Sequence, residues 1–77
     1  MTITPEQSKA ARSLLGWTQK ELAENAGIGI STVVDFESSK RVPIKNNLVA
    51  IRTAFERGSI EFIGKSGVNI KATSDIK

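Results

Sequence analysis

The stretch from Gln19 to Ser38, QKELAENAGIGISTVVDFES, leaves this chain the fewest choices of fold. Leu22, Ala23 and Ala26 recur at the spacing of one helical face. Val33 and Phe36 follow three residues apart, with Val34 beside them, and predict a second helix. Between the two runs stands Gly27-Ile28-Gly29. A glycine directly after a helix can take the positive φ of a sharp turn. Ile28 supplies one apolar side chain to plug the junction, and Ala23 is small where the two helices must cross.

The flanking sequence extends the pattern. Thr4-Pro5-Glu6-Gln7 is a helix start, with Thr4 as cap, Pro5 at the first helical position and Gln7 completing a capping box. That helix is expected from Pro5 to about Leu15, with Gly16 as its stop and Ala10, Ala11, Leu14 and Leu15 as its apolar face. Trp17 is expected to cover the end of the core. Thr18 and Glu21 repeat the capping box for the second helix, which ends at Asn25 or Ala26. The third is expected from about Ile30 to Ser38. Val42-Pro43 breaks the chain, and Leu48, Ile51 and Phe55 predict a fourth helix from about Lys45 to Arg57, stopped by Gly58.

Beyond Gly58 the pattern becomes short and β-branched: Ile60-Glu61-Phe62-Ile63 and Val68-Asn69-Ile70-Lys71 around Gly64-Lys65-Ser66-Gly67. This predicts a hairpin with Lys65-Ser66-Gly67 as its loop and Gly67 left-handed. Phe62 would face Ile70, and Glu61 would face Lys71. The expected fold is mainly α, four helices with a C-terminal β-hairpin. Residues 1–58 form the helical domain, 59–72 the hairpin as a candidate dimerisation element, and 73–77 a flexible polar tail.

Composition narrows the function. With 77 residues the chain supports one small core, which a dimer would enlarge. It has no Cys and no His, which removes disulfides, the common zinc sites and the usual nucleophile–base pairs of hydrolases. Its carboxylates are scattered among helix starts and charge pairs. No catalytic residue, metal site or cofactor is expected. The N-terminal residues Met1-Thr2-Ile3-Thr4 carry no signal-peptide pattern, and no apolar run is long enough to span a membrane, so a cytoplasmic protein is expected. The net charge is +3, and between Ser38 and Arg57 Lys40, Arg41, Lys45, Arg52 and Arg57 stand against Glu56 alone. An anionic partner suits that stretch.

The constellation Leu15-Gly16-Trp17-Thr18-Gln19, Leu22-Ala23, Ala26-Gly27-Ile28, Val33, Phe36-Glu37 and Lys40-Arg41-Val42-Pro43 resembles the phage-repressor, or Cro-like, branch of helix-turn-helix proteins, the XRE family. The resemblance covers roughly residues 4 to 57. Two positions depart from it: Ser38-Ser39 stands where Asn-Gly is usual, and Gly29 where Ser is common. The resemblance implies a transcriptional regulator that binds double-stranded DNA and lays its third helix in the major groove.

It also assigns roles. Gln19, Ile30, Ser31 and Asp35, with Thr32 as neighbour, would read base edges. Ile30 suits a thymine methyl, and Asp35 suits a cytosine amino group. Lys40, Arg41 and Lys45 would lie over the sugar-phosphate backbone, joined by Asn46 and Asn47 at the start of the fourth helix. Arg12 in the first helix would pair with Glu37 at the end of the third, as a structural ion pair. One such helix reads few base pairs, so a homodimer on a palindromic operator is expected. The alternative is a protein-interaction module of the same fold, such as an antitoxin-like partner protein.

Overall fold

The computed structural model describes residues 2–70. Its elements are α1 (Pro5–Leu15), α2 (Gln19–Ala26), α3 (Ile30–Glu37), α4 (Lys45–Arg57), β1 (Ile60–Ile63) and β2 (Gly67–Ile70). The fold is mainly helical, four helices with a C-terminal antiparallel hairpin, the arrangement that the resemblance implies. The expected tail, 73–77, lies outside the described residues.

Local chemistry sets the helix ends. In α1, Thr4 Oγ1 accepts from the Gln7 backbone amide and Gln7 Oε1 accepts from that of Thr4, each at 3.1 Å. In α2, Thr18 Oγ1 accepts from the Glu21 amide at 3.0 Å, and Glu21 Oε1 accepts from the Thr18 amide at 2.8 Å. Gly27 ends α2 in the left-handed conformation, φ 72°, and this turns the chain sharply into α3. Gly29 caps α3 with no side chain to offer, so α3 starts without a side-chain cap. The left-handed residue after α3 is Ser39, φ 61°, at the position where the resembled family usually has glycine.

The core gathers Ile3, Ala11, Leu22, Ala23, Val33, Phe36, Leu48, Ile51, Ala54, Phe55 and Ile60. Trp17 stacks on Phe55 with ring centroids 5.6 Å apart, and Phe62 meets Phe55 edge-on at 6.1 Å. Trp17 therefore covers the end of the core, as expected. Ile3, which carries no helical periodicity, is fully buried.

The inward face of α1 differs from the expected one. Leu14 is exposed and Ala10 half-exposed, whereas Gln7 and Ser8 are buried with Ala11. The reason lies in what α1 covers. Gln7 Nε2 donates to the carbonyls of Gly64 and Gly67, at 2.9 and 3.1 Å, and Ser8 Oγ donates to Glu37. Polar surroundings select polar residues, and each buried group is hydrogen-bonded. Val34, expected beside the core face of α3, is exposed as well.

The hairpin register also needs correcting. Phe62 pairs with Val68, Glu61 with Asn69, Ile60 with Ile70 and Ile63 with Gly67. The loop is Gly64-Lys65-Ser66, and Gly64, φ 61°, takes the left-handed position assigned to Gly67. Lys71, expected opposite Glu61, lies outside the described residues. The shift is two residues along β2, so it changes partners but not faces. Gly67 is needed for room: a Cβ there would stand 2.8 Å from the Ile63 carbonyl oxygen. Gly67→Ala should therefore cost about 1–3 kcal/mol as overpacking. Urea unfolding would show it as a lower midpoint, and an unchanged midpoint would mean that the loop relaxes freely.

Candidate nucleic-acid interface

α3 buries Val33, Phe36 and Glu37 and turns the rest outward. Ile30, Ser31 and Val34 are exposed, and Thr32 and Asp35 are half-buried. After Ser39 the chain folds back along the helix, because the amides of Lys40 and Arg41 both donate to the Asp35 carbonyl, at 2.9 and 3.3 Å. This fold-back makes a groove lined by Ser31, Thr32 and Asp35 on one wall and by Arg41, Val42, Pro43, Ile44 and Asn47 on the other. Candidate base-reading and backbone-contacting residues thus meet in one concave surface.

Lys40 and Lys45 are exposed on the segment that forms the second wall. Asn46 goes elsewhere. It lines the separate cleft between α2 and α4, with Asn25, Ala26 and Val49. Consecutive helical residues point about 100° apart, so only Asn47 of the pair reaches the groove. Arg52 also leaves the basic stretch. Its Nε donates to Glu56 at 2.9 Å and its Nη1 to the Thr2 carbonyl at 2.7 Å, and its guanidinium sits 5.0 Å over the Phe62 ring. It fastens the hairpin side of the molecule.

Arg12 and Glu37 meet. Arg12 Nη2 lies 2.8 Å from Glu37 Oε1, and its Nε lies 2.9 Å from Oε2. Arg12 Nη1 also donates to the Trp17 carbonyl, at 3.1 Å. Glu37 receives two further bonds, from Ser8 Oγ at 2.5 Å and from Gln19 Nε2 at 3.1 Å. Burial pushes the Glu37 carboxyl up, but the hydrogen bonds from Arg12, Ser8 and Gln19 and the charge of Arg12 together hold it below its ordinary value. The bond to Glu37 raises the pKa of Arg12 against the opposing effect of burial.

Gln19 is thus drawn into the carboxylate cluster with one amide hydrogen committed to Glu37. Neither this bond nor the part played by Ser8 is among the expectations from sequence. For Ser8 a signal exists: it stands four residues before Arg12, on the same helical face.

A family model described as Helix-turn-helix matches residues 9–63. The chain is similar to the HTH-type transcriptional regulator ImmR of Bacillus subtilis (strain 168), 31% identical over 68 residues, which cover 88% of this chain and 54% of that protein. The chain therefore spans about half the length of this curated relative. Among the described residues no helix is long and apolar enough to cross a membrane.

Proposed function

We propose that this chain, which belongs to the helix-turn-helix family in its XRE branch, is a DNA-binding transcriptional regulator that reads a specific duplex sequence with α3 in the major groove. The observation that carries the reading is the groove that sets Ser31, Thr32 and Asp35 opposite Arg41 and Asn47. Hydroxyls and a carboxylate there discriminate base edges, while the cation holds a phosphate. Lys40 and Lys45 extend the phosphate-binding surface along the same segment. Binding, not catalysis, is the activity, and it takes place in the cytoplasm. Two copies on a palindromic operator supply the affinity that one short helix lacks. The hairpin is the candidate contact between them, since Ile63 stands 57% exposed on the face away from the core.

Selection of bound sequences from random duplex DNA tests this reading. An enriched palindrome is the expected result, and recovery of no preferred sequence would refute sequence-specific binding. Arg41→Ala should weaken binding to every sequence alike. It should also flatten the salt dependence by roughly one unit of slope for each phosphate no longer neutralised, or about two per dimer. Asp35→Ala should leave non-specific binding intact and reduce discrimination at one base pair by about 1–3 kcal/mol. Titrations against an operator and its single-base variants at several salt concentrations separate the two. A weakening by Arg41→Ala confined to one base pair would reverse its assignment.

A further inference from the structure

The outward side of α3 carries a second row of side chains that does not line the groove. At about 100° per residue, Ile30 and Val34 share one flank, Ser31 and Asp35 lie beside them, and Thr32 lies beyond. The last three line the groove, while Ile30 and Val34 stand outside it, 47% and 40% exposed. Both are β-branched aliphatics at the border of the face that packs Val33 and Phe36. The helix as a whole, ISTVVDFE, contains no Arg, Lys, Asn or Gln. Bidentate reading of guanine takes Arg or Lys, and that of adenine takes Asn or Gln. α3 lacks both pairs. It presents instead what meets pyrimidines: aliphatic groups for the 5-methyl of thymine and a carboxylate for the amino group of cytosine.

We propose that Ile30 and Val34 together read the 5-methyl groups of two thymines, which makes Val34 a specificity-determining residue. The inference rests on the reading of α3 as the major-groove helix. Four residues of helix advance about 6 Å, against roughly 3.4 Å per base pair, so the two thymines stand about two steps apart. α3 thus selects its site by methyl groups on one flank and by hydrogen bonds on the other.

The test uses the full chain and the operator recovered by selection, with each thymine replaced in turn by deoxyuridine. That exchange removes the 5-methyl and leaves every hydrogen-bonding group in place. Two thymines in each half-site, about two steps apart, should each lose about fourfold in Kd, the worth of one buried methyl group. Ile30→Ala should make one of them indifferent to the exchange, and Val34→Ala the other. At the same positions 5-methylcytosine should bind better than cytosine by the same factor. Both side chains are exposed, so the variants keep their core, and Val34→Thr, which retains one methyl, should fall between Val34 and Ala. Deoxyuridine operators that bind as well as thymine ones, while base-pair changes still weaken binding, would overturn methyl reading and leave sequence-specific binding standing. So would an Ile30→Ala or Val34→Ala loss equal on both operators. A selection that enriches no sequence would overturn both.

Discussion

Arg12→Ala should destabilise the fold by about 3–5 kcal/mol, because it leaves the Glu37 carboxylate buried without its counter-charge. Glu37 is 3% exposed and gathers donors from Ser8 and Arg12 on α1 and from Gln19 on α2. Glu37→Ala should cost a similar amount, since three donors lose their acceptor together. In a domain of this size each kcal/mol lowers the melting temperature by about 4–8 °C, so both losses are easily measured. The double variant should cost less than the two single losses added, by about 0.5–3 kcal/mol. Strict additivity in thermal or urea unfolding would mean that the pair does not act as a unit.

The same cluster predicts a pH dependence. The carboxyl of Glu37 is held below its ordinary value in the folded state. Its contribution is therefore complete above the ordinary value of 4.5 and fades as pH falls through the lower folded value. Arg12→Ala should reduce that acid-side weakening, because the charge and the hydrogen bonds of Arg12 are gone while those from Ser8 and Gln19 remain. Urea midpoints measured from neutral pH down to about pH 3, within the range where carboxyls titrate, would show converging curves for the two proteins. Parallel curves would assign the acid sensitivity to other groups.

Phe55→Ala should cost a comparable amount, about 3–5 kcal/mol. Phe55 is fully buried and is the middle ring of the row Trp17–Phe55–Phe62, so it joins the helical core to the hairpin. Its removal strips the stacking partner from Trp17 and the edge-on partner from Phe62 at once. Trp17 is the chain's one tryptophan, so its emission reports the change directly. The variant should show a more water-like emission and a much lower urea midpoint. A loss below about 1 kcal/mol would mean that the neighbours close over the gap.

Periodicity and capping made the helices legible. Thr4 with Gln7 and Thr18 with Glu21 mark two starts, and the spacing of Leu48, Ile51 and Phe55 marks the core face of α4. The signal weakens wherever one helix rests on polar backbone or a carboxylate instead of aliphatic groups. Gln7 and Ser8 are buried for that reason, while Leu14 stays outside. The hairpin offers two glycines for one left-handed position. Choosing Gly64 over Gly67 requires knowing that Ile63 lies against Gly67, a contact that no local pattern states. For the candidate site, proximity in sequence misleads twice. Asn46 and Asn47 are neighbours in the chain but line different clefts, and Arg52 belongs to Thr2, Glu56 and Phe62. The hydrophobicity of Val34 suggests burial, yet its position four residues after Ile30 places it outside.

The start of α1 carries a consequence for which sequences this fold admits. A capping box is satisfied by Glu as well as by Gln at its third helical position. Here the Gln7 side chain does more: its Oε1 accepts from Thr4, while its Nε2 donates to two carbonyls of the hairpin, 57 and 60 residues away. Thr4 does likewise, accepting from Gln7 and donating 2.8 Å to the Lys65 carbonyl. A glutamate at position 7 would still cap the helix but would turn an anionic oxygen toward two carbonyl oxygens. Helix initiation and the docking of α1 on the hairpin are thus encoded by one amide group, and the exchange that local rules treat as neutral is forbidden by distant backbone.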